Sequence, residues 1–153
     1  MAEYIQSPGT AQNVPFGQNL LLIDSIPCPR GYVVHRNGSG ILTLRGITSG
    51  CNTFARYRVE FSGNIAIPTG GTVAAIAMAI AIDDEALQNS RGIFTPTAVE
   101  QYQNITCMAD ITVPKGCCYT VAVENVNAGV GGTIVDEQTI SVADGNLVVS
   151  RIA

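Results

Sequence analysis

From Val73 to Ile82 the chain alternates large and small residues: Ile76, Met78, Ile80 and Ile82 recur at every second position, and Ala75, Ala77, Ala79 and Ala81 fill the places between. A period of two is strand geometry, because successive side chains on an extended backbone leave on opposite faces. Alanine favours helices, but large residues on a helix face would recur at three and four, and Gly70-Gly71 just upstream is a poor helix start. The stretch therefore reads as a strand that is apolar on both faces. Its large face can fill a core, and its methyl face lets a second layer approach closely, such as another subunit.

The same period recurs elsewhere. From Phe54 onward Phe54, Arg56, Arg58 and Glu60 alternate with Ala55, Tyr57, Val59 and Phe61, which is the pattern of a half-buried strand with a charged outer face. Further short strands are predicted over Leu20–Ile26, Tyr32–His35, Ile41–Leu44, Ile93–Val99, Gln101–Val113, Cys117–Val123, Thr133–Val142 and Leu147–Ile152. Turn residues separate them: Pro27-Cys28-Pro29, Asn37-Gly38-Ser39-Gly40, Pro114-Lys115-Gly116, the glycine-rich Asn125–Gly132 and Asp144-Gly145-Asn146. No amphipathic helix competes. The expected fold is all-β, a sandwich or barrel of about 8–10 strands. Residues 1–19, rich in Gln, Asn, Pro, Gly and Ser, are expected to form an N-terminal arm, and residues 20–153 the single domain.

Composition limits the partners. Only 13% of the 153 residues are charged, against roughly 25% in an ordinary soluble domain, while 46% are hydrophobic, so apolar surface is expected to meet a partner. The net charge of −4 and the scattered basic residues carry no electrostatic footprint for nucleic acid. The apolar run is about half the length a membrane helix needs, so no membrane insertion is expected. Met1-Ala2-Glu3-Tyr4 lacks the basic and apolar regions of a signal peptide, so synthesis in the cytoplasm is expected.

No catalytic constellation stands out. His35 is the one histidine, and nothing in the spacing pairs it with a particular cysteine as base and nucleophile. Asp83-Asp84-Glu85 offers oxygen ligands for calcium, but reads more simply as a solvated turn that protects the adjacent apolar strand. No metal or cofactor is expected, nor an enzymatic activity. Of the five cysteines, Cys28, Cys51, Cys107, Cys117 and Cys118, two accounts stand. The preference of free cysteine for protein interiors favours small buried side chains; intersubunit disulfides are the sharper account. The adjacent Cys117 and Cys118 would face opposite sides of a strand, one inward and one toward a neighbour.

Four stretches taken together carry a family resemblance: Arg56-Tyr57-Arg58-Val59-Glu60-Phe61-Ser62, the apolar strand ending at Asp83-Asp84-Glu85, the Ile111–Val123 segment with its Val-Pro-Lys-Gly turn, and the terminal Val142–Ile152. Over Leu20–Ala153 the sequence resembles the tumour-necrosis-factor and complement-globular-head superfold. Its bacterial versions, in collagen-like spore-surface glycoproteins and in bacteriophage structural proteins, look nearest. The resemblance implies a jelly roll of ten strands that assembles as a homotrimer with its first and last strands near the axis. On that footing Tyr57, Val73, Ile76, Met78, Ile80, Ile82, Leu147 and Val149 are expected at the trimer interface, and the arm is expected to anchor the trimer to a larger particle such as a capsid or spore coat. A Gly-X-Y stalk, usual in the spore proteins, does not occur here. The role expected is a structural one on a bacteriophage virion, as capsid decoration, head fibre or tail component. The alternatives are a spore-surface or appendage filament cross-linked through cysteines and a receptor- or carbohydrate-binding head.

Overall fold

The computed structural model describes residues 2–6, 11–26, 31–130 and 135–153. Among them, twelve strands form two sheets in which every pairing is antiparallel. The first contains β1 (Ala2–Gln6), β2 (Gln12–Val14), β3 (Asp24–Ile26), β6 (Phe54–Ala66), β10 (Gln103–Pro114) and β12 (Ile140–Arg151). Its order is β10-β6-β12-β1-β3, with β2 also on β12. The second contains β4 (Val33–His35), β5 (Leu42–Arg45), β7 (Ile76–Ile82), β8 (Glu85–Ala86), β9 (Gly92–Phe94) and β11 (Cys118–Val126), in the order β4-β5-β11-β7-β8 with β9 also on β7.

The alternation read from the sequence is the alternation of burial. Along β6, Phe54, Arg56, Arg58 and Glu60 are exposed, while Ala55, Tyr57, Val59 and Phe61 are fully buried. Opposite them, Ile76, Met78 and Ile80 of β7 enter the same core with Leu42, Leu44, Val121 and Val123. The two sheets thus close over one apolar interior, the term that dominates stability in a domain of this size.

This packing corrects the expected subunit interface. Tyr57, Ile76, Met78, Ile80, Leu147 and Val149 are at most 2% exposed, and Ile82 packs against their cluster. Side chains consumed by contact between the chain's own sheets have no surface left for a neighbour. Val73, 45% exposed ahead of β7, and the partly exposed Ile82 are the members of that set with surface left for a partner.

The methyl face of β7 is also covered from within. Ala77 and Ala79 form a second buried cluster with Val126 and Ala128, against which Ala75, Ala86 and Val135 pack. Arg91 Nη1 donates to the carbonyls of Asn127 and Gly129, at 2.8 and 2.9 Å, and clamps that segment in place. Small side chains do admit a close second layer here, but the layer is the chain's own continuation past β11.

Two further expectations change. The expected arm is part of the sheet: β1 pairs with both β12 and β3, β2 pairs with β12, and Val14 is buried. The expected turn at Asp144-Gly145-Asn146 is instead a bulge within the twelve-residue β12, where the register to β6 shifts between Ala143 and Asn146. Asp144 adopts a left-handed φ of 54°, and Gly145 lies against the Phe61 ring, where a Cβ would come within 3.4 Å. The extra residue is thereby absorbed without breaking the strand.

Candidate functional site

Three surfaces follow from this architecture. The first is the outer face of the β10-β6-β12 sheet. Outward residues of β10 from Asn104 to Pro114 and of β6 from Phe54 to Glu60 are all exposed. In register across the strands, Met108 lies beside Glu60 and Glu60 beside Val148, while Asp110 lies beside Arg58. Arg58 holds Asp110 in a two-pronged pair, Nε to Oδ1 at 2.8 Å and Nη2 to Oδ2 at 3.0 Å. That hydrogen bond keeps the Asp110 carboxyl below its ordinary range. Both groups are well solvated, so the pair orients side chains more than it stabilises the fold. The face combines Met108 and Phe54, 55% and 43% exposed, with charges of both signs.

The second surface is a groove of about 430 Å³ between the β10 edge and the β7–β8 hairpin. Ile82, Leu87 and Tyr119 form its floor, and Asn89, Asp110 and Thr112 stand on its rim. A recess of about 360 Å³ continues it past Ala86 to Asp83 and Glu85. Asp83 and Asp84 form the two-residue hairpin turn, both at positive φ (49° and 68°), a conformation that Asp tolerates better than most residues. The Asp83 carboxylate accepts from the Thr120 amide and hydroxyl at 2.9 and 3.0 Å. Its chemistry is that of a turn fastened to β11, the plainer of the two readings of this acidic stretch. His35 is occupied locally, with Nε2 3.0 Å from the Ser39 carbonyl.

Among the solved structures similar to this chain, two match nearly its whole length with the same architecture. The globular domain of zebrafish complement 1qA protein has a TM-score of 0.61 at 11% identity, covering 99% of this chain and 97% of that one. Eiger TNF from S. frugiperda has a TM-score of 0.63 at 10% identity, covering 99% and 91%. The fold is a TNF-like jelly roll. No family model and no curated protein sequence matches the chain. At such identities the likeness is one of architecture.

The third surface of the jelly roll is marked by cysteines, and here the structure corrects the expectation of buried thiols. Cys51, Cys117 and Cys118 are free and exposed; only Cys107 of the described cysteines is buried, and Cys28 lies outside the described residues. Cys117 sits in the turn before β11 and Cys118 opens the strand, so neither packs inward as the strand reading required. The sequence carried no signal for this, because residue type alone does not say which side of a loop faces water.

Cys107 seals the seam between the sheets. Its thiol donates to the Met78 carbonyl at 3.2 Å and accepts from the Gly92 amide, and burial pushes its pKa up to about 11. A folded pKa above the unfolded value of about 9 means that unfolding releases a proton between those values. Stability is then fully present below pH 9 and declines as pH rises toward 11. The total loss is about 2–3 kcal/mol, two pK units at about 1.4 kcal/mol each. Urea unfolding under reductant at about pH 8 and about pH 10.5 is expected to show the native chain losing about 2 kcal/mol more than Cys107→Ala. Equal losses would mean that the thiol ionises as readily inside as outside.

Proposed function

We propose that this chain is a non-enzymatic structural protein, a jelly roll that self-associates as a homotrimer and is displayed on a larger particle. The observation that carries this reading is the uncovered face of the β10-β6-β12 sheet. The opposite sheet has its methyl face covered by the chain's own segment after β11, whereas here two long neighbouring strands leave every outward side chain from Phe54 to Glu60 and from Asn104 to Pro114 in solvent. A broad face with Met108, Phe54 and charges of both signs suits contact between identical copies, in which Arg58 and Asp110 can be matched by opposite charges on the different patch that a neighbouring copy presents in a threefold ring. Such an interface is more polar than one made from the aliphatic strand faces. The setting favoured by the family resemblance is a bacteriophage virion, with the chain as capsid decoration, head fibre or tail component.

Light scattering on the purified chain under reductant is expected to give three times the 16.0 kDa chain mass. Glu60→Arg with Met108→Arg places two like charges at cross-strand neighbours on the exposed face. Like charges brought together across an interface cost several kcal/mol, so the double variant is expected to run at the single-chain mass with its strand circular dichroism intact. A native single-chain mass, or a double variant that stays associated, would remove this face from assembly. In the source cells the chain is expected to band with particles in a density gradient; recovery wholly at the top would remove the display role.

The groove favours a second reading, a carbohydrate-binding head. The Tyr119 ring and Leu87 offer an apolar floor to the C–H face of a sugar, and Asn89, Asp110 and Thr112 offer hydrogen-bond partners to its hydroxyls. Glycan-array binding abolished by Tyr119→Ala would support it. The glycine-rich Asn125–Gly132 stretch, a second candidate for such a role, begins inside β11 and is held by Arg91 at Asn127 and Gly129, with residues 131 and 132 outside the described set.

A further inference from the structure

Cysteine is among the residue types most often buried, yet one end of this jelly roll presents three exposed thiols. They lie on two loops fastened together. The 46–53 loop meets the 114–118 turn at both of its ends: Gly46 N donates to the Cys117 carbonyl at 2.8 Å, Gly116 N to the Gly46 carbonyl at 3.0 Å, and Lys115 N to the Thr53 carbonyl at 2.9 Å. Cys51 is therefore held on the same end as Cys117 and Cys118. Lys115 is the one charged residue in either loop, while Ile47 and Phe54 stand 37% and 43% exposed beside them. Arg45 and Arg56 flank the loops and Arg151 reaches the Ile47 carbonyl, so contact between copies is carried by the apolar side chains and the thiols, and a twofold contact brings identical thiols face to face. Cys117 and Cys118 are poorly placed to bond each other: adjacent Cα atoms are about 3.8 Å apart, shorter than the roughly 4.4–6.8 Å of ordinary disulfides.

We propose that this end is a covalent docking surface at which a second copy of the chain is joined through disulfides of Cys51, Cys117 and Cys118. The chemistry needs a low-molecular-weight disulfide as oxidant. A thiolate on one copy attacks it, forming a mixed disulfide and expelling one small thiol; a thiolate on the second copy displaces the other small thiol and closes the protein–protein bond. Two protein thiols are oxidised and one small disulfide is reduced to two thiols, so electrons and protons balance. The inference shares with the assembly reading only the premise that copies meet. It uses the loops at the end of the sandwich, which adjoin the assembly face at Phe54 and Pro114, so trimers would be linked end to end.

The test treats the reduced full chain with oxidised glutathione and resolves it without reductant by denaturing gel and intact mass. Species at twice the 16.0 kDa chain mass and above, reverting with reductant, are expected. Their yield should fall to background in a C51S/C117S/C118S variant and in part in each single variant, while C28S leaves it unchanged. Glutathione adducts without protein–protein bonds, cross-linking that survives the triple variant, or cross-linking that vanishes in C28S alone would each overturn the proposal. Light scattering under reductant reads the trimer with no disulfide present, so failure of either idea is seen separately.

Discussion

Replacing Tyr57 with alanine is expected to destabilise the fold by about 3–5 kcal/mol, the range for deleting a buried aromatic ring. Tyr57 is fully buried, and its hydroxyl donates to the Arg45 carbonyl of the opposite sheet, with the Tyr32 carbonyl 3.2 Å away. The Arg151 guanidinium lies 5.4 Å from its ring centroid and 4.5 Å from that of Tyr32, and Arg151 Nη2 donates to the Ile47 carbonyl at 2.7 Å. One ring thus ties β6 to β5 and to the last residues of β12. Tyr57→Phe keeps the ring and removes the tether, at about 1–3 kcal/mol if the carbonyls it served are left without a donor. Urea midpoints of the two variants should fall in that order. The light-scattering mass of Tyr57→Phe should match the native protein, because the ring packs within its own subunit. A Tyr57→Phe chain that dissociates while keeping its native midpoint would return this residue to a subunit interface.

The strands most legible in the sequence were those whose side chains report burial. The alternation over Phe54–Phe61 and the isoleucine row of β7 became strands with the expected inner faces. Periodicity says that a face is buried and not what buries it, which is why a core row was read as a trimer interface. The first strands were illegible for a different reason. β1 and β2 are held by backbone pairing to β12, and backbone hydrogen bonds leave little trace in residue type. Even the side chain of Gln12 does ladder duty: its amide donates to the Leu21 carbonyl at 3.1 Å and accepts from the Leu21 amide at 2.6 Å. A polar residue that reads as loop composition is there a substitute for strand pairing. The groove was hidden likewise, since Leu87, Met108 and Tyr119 come from three separate segments that only the sandwich brings together.

Gly46→Ala is expected to cost about 3 kcal/mol or more and to part the two loops that carry the exposed thiols. A Cβ at this position would stand 2.0 Å from the Pro114 carbonyl oxygen, 3.0 Å from its carbon and 3.1 Å from the Cys117 carbonyl oxygen. All three are backbone atoms, so no rotamer change relieves the clash and the loops must move apart. Overpacking costs about 1–3 kcal/mol. Separation adds the loss of the Gly46–Cys117 and Gly116–Gly46 hydrogen bonds, at about 1 kcal/mol each while water can replace them. Gly50 in the same loop is the control: its φ is +62° and nothing lies within 4 Å of where an alanine methyl would stand, so Gly50→Ala carries only left-handed backbone strain of about 1–2 kcal/mol. Urea unfolding should separate the two variants by at least about 1 kcal/mol. Equal midpoints would mean that the loops tolerate a side chain between them and are not locked together. Disulfide yield adds a second discrimination. If Cys51 works only when held beside Cys117 and Cys118, cross-linking falls in Gly46→Ala and persists in Gly50→Ala; undiminished yield in both would make each thiol an independent site, bonding without the shared surface.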